Sequence, residues 1–249
     1  MTGIQEQVEG RNPVLEALRG PREVHVVHIA SGVGRKGALA EILTACERQG
    51  VPVREVSRER LDAMAVTTAP QGIVASVSLY RYAELDEILA TGGVAAAPLV
   101  LVLDGVEDPR NLGSLLRVAD AAAVDGVILA KRRSACVTAA VAKASAGAVE
   151  HVSVAQVSNI ASTLTILKRQ GFWVVGAEAK GGVPYWEVDL TVPLALVLGG
   201  EGKGLSRLVR ERCDHLAGLP MLGRVSSLNV ANAGAVLVYE AVRQRSSHA

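Results

Sequence analysis

From Pro98 onward the chain repeats one pattern: short, almost uninterrupted apolar runs separated by helix-like segments. PLVLVLDGV (98–106), GVILA (126–130), FWVVGAEA (172–179) and PLALVLGG (193–200) are each of strand length. A strand that is apolar at nearly every position must be covered on both faces, which points to a parallel sheet flanked by helices. LGSLLRVADAAAV, VTAAVAKASAG and SNIASTLTILKRQG fill the intervals as helices, the last with Ser158 as its expected cap. EHVSVAQV (150–157) reads as a further strand, SRLVRERC as a helix and LNVANAGAVLVYEAVRQR as the final helix, capped by Ser226 or Ser227. The fold class predicted is α/β with a mostly parallel sheet.

The first 80 residues have a different rhythm. GRNPVLEALRG (10–20) reads as a turn and helix, EVHVVHIA (23–30) as a strand, and GALAEILTACERQG (37–50) as a helix ending at Gly50. VPVREV, RERLDAMA and IVASVSL follow as strand, helix and strand, and AELDEILATGG (83–93) as a short helix. The expected partition is a small domain over 1–80, a linker over 81–97 and a larger domain over 98–249.

Composition narrows the function classes. Aromatics are 3% of residues, which argues against platforms that stack bases on exposed rings. Cys46, Cys136 and Cys213 are scattered, so they form neither a disulfide framework nor a zinc site, as suits a reducing cytoplasm. No apolar run reaches bilayer length and residues 1–20 carry charges throughout, so a soluble cytoplasmic protein without membrane contact is expected. The formal net charge is +1, but six arginines between Arg207 and Arg245 make the C-terminal quarter locally basic. Such a stretch can meet phosphates or be a solvated helix face.

Two glycine-rich turns invite nucleotide readings. SGVGRKG (31–37) contains G-x-G-x-x-G at Gly32, Gly34 and Gly37, with Glu55 near the ribose-acid position of a dinucleotide fold. This supports a nicotinamide-dependent oxidoreductase as the rival reading. Against it stand the basic pair Arg35 and Lys36 in the turn and the lack of further βαβ units before the linker, so a basic surface loop is favoured. In LGGEGKG (198–204), Val197 fills the first glycine slot of a P-loop and Gly204 replaces its hydroxyl residue, which excludes a triphosphate loop.

Three stretches of the second domain remain. DGVEDPRNLGSLLRVAD (104–120) puts Asn111 at a helix start and a lone Arg117 six residues on. Asp104, Glu107 and Asp108 read as solvated loop acids rather than a metal site. The turn around Gly199, Gly200 and Glu201 allows close approach of a ligand, or is simply tight. LPMLGRVSSLNVANAGAV (219–236) opens a helix with Asn229, Asn232 and small residues, a weakly propagating start.

In this order the three stretches resemble the motifs of the SpoU (TrmH-like) RNA 2′-O-methyltransferases of the SPOUT superfamily. GRNPVLEAL and AVRQR further resemble the bacterial enzymes that methylate a guanosine of 23S rRNA, with a tRNA or an antibiotic-resistance site left open. The resemblance implies a deep trefoil knot in the C-terminal domain, S-adenosylmethionine (AdoMet) as cofactor, homodimerisation and no metal. It implies Arg117 as the catalytic arginine, with Asn111, Glu201, Ser227 and Asn229 shaping the site. The backbone around Gly199, Gly200, Leu219 and Leu228 is implied to hold the cofactor. The first domain would resemble the ribosomal-protein-L30-like RNA-binding module, with Arg11 and Asn12 near RNA and Arg35 and Lys36 as phosphate contacts. Ala231 departs from the serine of many relatives.

Overall fold

The computed structural model describes residues 5–91, 97–178 and 181–247; residues 92–96 of the expected linker and 179 of the expected strand lie outside them. In chain order the first elements are β1 (Gln5–Glu9), α1 (Arg11–Arg19), β2 (Val24–Ala30), α2 (Ala38–Gln49), β3 (Val53–Val56), α3 (Arg58–Met64) and β4 (Ile73–Ser78). Next come α4 (Leu85–Thr91), β5 (Leu99–Asp104), α5 (Pro109–Ala121), β6 (Gly126–Ala130), α6 (Ala139–Ala144) and β7 (Val154–Val157). The chain closes with α7 (Ile160–Arg169), β8 (Trp173–Glu178), β9 (Val183–Pro184), β10 (Leu194–Gly199), α8 (Arg207–Arg212), β11 (His215–Gly218) and α9 (Val230–Ser246).

Two compact units result: Met1–Arg81 with Cys136–His151, and Tyr82–Ala135 with Val152–Ala249. Cys136–His151 lies within the span expected for the second domain, yet it packs in the first unit. Buried charge ties it there. Arg22 pairs with Glu6 at 2.9 Å and with Glu150, both Arg22 and Glu150 being almost wholly buried. Burial pushes the Glu150 carboxyl up while Arg22 pulls the other way. Lys143 donates to Thr67 Oγ1 at 2.9 Å and to the Ala69 carbonyl at 2.7 Å, and the fully buried Glu9 accepts from the Thr67 N–H at 3.0 Å. These pairings also shorten the expected strand 150–157 to Val154–Val157, because Ala148–Glu150 form a 3-10 turn that seats Glu150.

The first unit is a four-stranded sheet in the order β1-β4-β2-β3. Only β2 and β3 are parallel; β4 runs antiparallel to both β2 and β1. The G-x-G-x-x-G loop therefore sits on a single βαβ unit, β2–α2–β3, with no parallel strand beyond it among the described residues. A dinucleotide-binding half needs more parallel strands than this, which removes the oxidoreductase reading.

The second unit is a seven-stranded sheet in the order β7-β6-β5-β10-β8-β11-β9, parallel at every pairing. β5 and β10 lie at its centre, and Leu99–Leu103 and Leu194–Leu198 are all buried. One face packs Val100, Val102, Ala195 and Val197 with Leu164 and Leu167 of α7 and Val209 of α8. On α5 and α9, which pack together, Leu115, Leu116, Leu237 and Val238 are fully buried.

Helix starts differ from expectation by a residue or more. α5 begins at Pro109 because the Asp108 carboxylate accepts the Arg110 N–H at 2.8 Å, a cap worth about 1 kcal/mol. Asn159, not Ser158, caps α7, accepting the Ser162 N–H at 2.9 Å.

Candidate functional site

In open parallel sheets, ligands gather at the carboxyl ends of strands where the strand order reverses. Here that point is between β5 and β10: the chain leaves β5 toward β6 and leaves β10 toward β11. A cavity of about 390 Å³ opens at this edge, lined from the ends of β10, β8 and β11 and the start of α9. That volume is within the range of small-molecule sites.

Backbone contact between loops builds the floor. A Cβ on Gly200 would overlap the Gly105 carbonyl, and one on Gly199 would overlap the backbone of Gly204 and Leu205. The Gly200 N–H donates to the Asp104 carbonyl at 2.8 Å, and the Asp104 side chain accepts the Ser206 N–H at 2.7 Å. The loops after β5 and β10 are thus stitched together without ligand, and Asp104, read as a solvated acid, is one of the stitches.

Three asparagine and glutamate side chains join the three sequence stretches. Asn111, buried on α5, donates its amide to Glu201 Oε1. Asn229 Nδ2 lies 3.0 Å from Asn111 Oδ1 and 3.2 Å from Glu201 Oε1. Asn229 Oδ1 meanwhile accepts the N–H groups of Ala231, at 2.9 Å, and Asn232. Asn229 is therefore the cap of α9, in place of the expected Ser226 or Ser227, both exposed. The weak start of α9 is compensated by this double acceptance.

The alanine and glycine run on α9 also has a visible cause. A Cβ on Gly234 would lie 2.6 Å from Leu115 Cδ2 and 2.7 Å from Leu198 Cδ1, so the small residue lets α9 close on α5 and β10. Ala231 is buried beside it and Ala233 lines the cavity.

Of the residues expected at the cofactor and catalytic site, Gly199, Gly200, Glu201, Leu219, Ser227, Leu228 and Asn229 line the cavity, and Asn111 holds two of them. Arg117 does not line it. Its side chain is exposed on α5 and makes no hydrogen bond or ion pair among the described residues. Arg110, on the same helix, is held by Asp108 at 3.0 Å, which also keeps the Asp108 carboxyl below its usual range. In the first unit, Arg11 is half-buried and Asn12 and Lys36 are exposed; Arg35 is bound to Glu55 at 3.2 Å.

Sequence reasoning missed Ala177, Glu178, Ala217 and Met221 in the lining. The carboxyl end of β8 was the available signal for the first two, since it borders the switch point. Glu178 is paired with Arg210 at 2.8 Å. The titratable side chains in the lining are Glu178 and Glu201, both carboxylates. Burial pushes the nearby Cys213 thiol up to about 11, so it is neutral and not a nucleophile at physiological pH. Aliphatic walls, the Glu201 carboxylate and stitched backbone suit a small ligand with a positive centre.

Comparison with known proteins gives this geometry a family. Residues 98–239 match the SpoU rRNA Methylase family, and residues 7–83 match RNA 2′-O ribose methyltransferase substrate binding. A Bacillus subtilis protein assigned to the TrmH family of tRNA/rRNA methyltransferases is 44% identical over 98% of both chains. A Staphylococcus saprophyticus protein of the same assignment is 41% identical over 96% of this chain and 95% of its own. The crystal structure of the SpoU methyltransferase AviRb from Streptomyces viridochromogenes, in complex with AdoMet, is 27% identical. It superposes with a TM-score of 0.80 over 98% of this chain and 91% of its own. A crystal structure of an RNA 2′-O ribose methyltransferase is 28% identical, with a TM-score of 0.79 over 97% and 89%. The chain belongs to the SpoU family of RNA methyltransferases, with AdoMet as its cofactor.

Proposed function

We propose that this protein transfers the methyl group of AdoMet to the ribose 2′-oxygen of a guanosine in 23S rRNA, acting as a homodimer. The observation that carries the reading is the Asn111–Glu201–Asn229 link, which holds all three motif segments at one cavity on the carboxyl edge of the sheet. The family match supports RNA as substrate, and the choice of 23S guanosine rests on the GRNPVLEAL and AVRQR resemblance.

AdoMet would lie against the backbone around Gly199, Gly200, Leu219 and Leu228, with Ser227 at the edge, and it supplies an electrophilic methyl group on a sulfonium. Glu201 makes the cavity favourable to that positive charge, whereas Glu178 is already paired with Arg210. Glu201 and Asn229 act as positioning residues, since their polar atoms are already engaged with each other and with Asn111. Orienting the donor and acceptor groups is itself a large part of such a rate enhancement.

A ribose hydroxyl is a weak nucleophile, so its proton must leave as the new bond forms. An arginine with a pKa above about 12 is a poor base. Arg117 instead holds the RNA phosphate next to the target ribose and stabilises the charge developing on the 2′-oxygen, whose proton passes to that phosphate as the methyl–oxygen bond forms and the sulfonium–methyl bond breaks. Its guanidinium is unengaged among the described residues, whereas Arg110 is taken by Asp108. The first unit binds the RNA, with Arg11, Asn12 and Lys36 as contacts.

The test is mass-spectrometric mapping of ribose methylation in 23S rRNA and tRNA incubated with the protein and AdoMet. A new 2′-O-methylguanosine in 23S rRNA is expected; a mark confined to tRNA moves the substrate, and no mark on either overturns the reading. Arg117→Ala should lower the transfer rate by roughly a hundredfold or more and leave AdoMet affinity by calorimetry unchanged. Lost AdoMet affinity would remove Arg117 from its assigned role.

A further inference from the structure

Four of the residues lining the cavity have an oxygen-bearing side chain: Glu178, Glu201, Ser227 and Asn229. Two of them are engaged within the protein. Glu201 Oε1 accepts from Asn111 and Asn229, and Asn229 Oδ1 caps α9. Ser227 is exposed in the loop before α9. Glu178 alone among the four is carried by a strand of the sheet.

Its place in that sheet decides what it can meet. Glu178 is the last residue of β8, which lies between β10 and β11 and runs parallel to both. Gly176 pairs with Val197, two residues before Gly199, and Glu178 itself pairs with Gly218, next to Leu219. The carboxylate therefore stands between the two backbone turns that would hold AdoMet. In parallel sheets that bind nucleosides, an acid at the carboxyl end of the strand beside the glycine turn takes the ribose hydroxyl. Here the glycine turn follows β10, and β8 is a strand beside it.

The chemistry of the side chain fits that place. Arg210 Nε donates to Glu178 Oε2 at 2.8 Å, and 21% of the Glu178 side chain is exposed. The guanidinium offsets the charge and fixes the orientation, so Glu178 is an aimed acceptor rather than a source of net attraction for a sulfonium. A carboxylate has about four acceptor positions, which one guanidinium contact does not exhaust. Its two oxygens match a vicinal diol, both of whose hydroxyls donate, and AdoMet contains one such diol, on its ribose.

We infer that Glu178 is the specificity residue for the ribose of AdoMet, accepting hydrogen bonds from the 2′- and 3′-hydroxyls while Arg210 holds the carboxylate in place. The inference rests on the placement of AdoMet against Gly199, Gly200, Leu219 and Leu228. It adds a binding residue outside all three motif stretches and divides the two cavity carboxylates: Glu201 positions the loops, and Glu178 selects the nucleoside.

The experiment is calorimetric titration of the full chain with AdoMet, with S-adenosylhomocysteine, and with 2′-deoxy and 3′-deoxy S-adenosylhomocysteine. The wild-type chain is expected to bind each deoxy compound roughly tenfold or more weakly than the parent, the worth of a hydrogen bond to a charged group. Glu178→Ala should weaken the parent by at least that factor and shrink the deoxy penalty to less than about twofold, because hydroxyl and carboxylate act as one pair. Glu178→Gln keeps a carbonyl acceptor and almost the same volume. It should melt as the wild type does, bind the parent with intermediate affinity and show a reduced deoxy penalty. Arg210→Ala and Ser227→Ala should both retain the penalty, which separates a ribose contact from mere loss of the Glu178–Arg210 pair. Wild-type affinity in both Glu178 variants, an undiminished penalty in them, or its loss in Ser227→Ala instead would overturn the assignment. A wild-type chain that takes up neither AdoMet nor S-adenosylhomocysteine overturns it together with the cofactor placement. Glu178-dependent ribose selection without methyl transfer to RNA supports it and sinks the methylation reading alone.

Discussion

Residues 31–37 and 199–204 both join a strand to a helix through closely spaced glycines, and both look on paper like loops that cradle phosphate. In the second loop, Gly199 and Gly200 are required by contact, pressing on the backbone of Gly204, Leu205 and Gly105 with no room for a single carbon, while Gly202 and Gly204 have positive φ, 76 and 63, and open space. In the first loop, a Cβ on Gly32, Gly34 or Gly37 would meet nothing within 4 Å. Gly32 and Gly37 are explained by positive φ alone, 78 and 61, and Gly34 by neither cause. The same sequence signal therefore marks a packed junction in one unit and an open turn in the other.

Substituting the two loops sharpens that contrast. Gly200→Ala should cost at least about 3 kcal/mol in urea denaturation, because the methyl group has to displace backbone rather than a flexible side chain. AdoMet binding should fall with it; near wild-type stability would mean that the loops after β5 and β10 are free to move apart. Asn229→Ala removes both the α9 cap and the link to Asn111 and Glu201, and should cost about 1–2 kcal/mol. A Ser substitution at the same position should recover the cap but not the link, so a full rescue of AdoMet affinity would count against the link. Gly34→Ala should change stability by less than about 0.5 kcal/mol, or raise it slightly by restricting the unfolded chain. A large loss there would show that the open loop is packed after all.

The legible parts of the fold were those where one element carries its own pattern. β5, β6 and β10 are apolar throughout and α2 has a clear apolar stripe, so each was visible by itself. β1 was missed because QEQVE offers charge and amide where a half-buried strand usually alternates, and β11 because HLAG is too short to show a period. The helix caps were ambiguous for a local reason: Ser158 and Asn159, or Ser227 and Asn229, are equally able acceptors. Only the backbone decides which one meets the free N–H groups. At the site, the motif order made the glutamate and asparagines visible as candidates, while Ala177 and Glu178 have no chemical mark of their own.

Periodicity and burial of apolar residues are short-range properties, so the sequence by itself determined the alternation of strands and helices, the parallel central strands and the candidate polar residues. Pairings between residues far apart in the chain depend on which surfaces meet. Tertiary structure alone decided that Cys136–His151 joins the first unit through Arg22 and Glu150, and that Asn111, Glu201 and Asn229 share hydrogen bonds. It also decided that Arg35 is neutralised while Arg11 and Arg58 are not, because a charge has a partner only where the folded backbone brings one within reach.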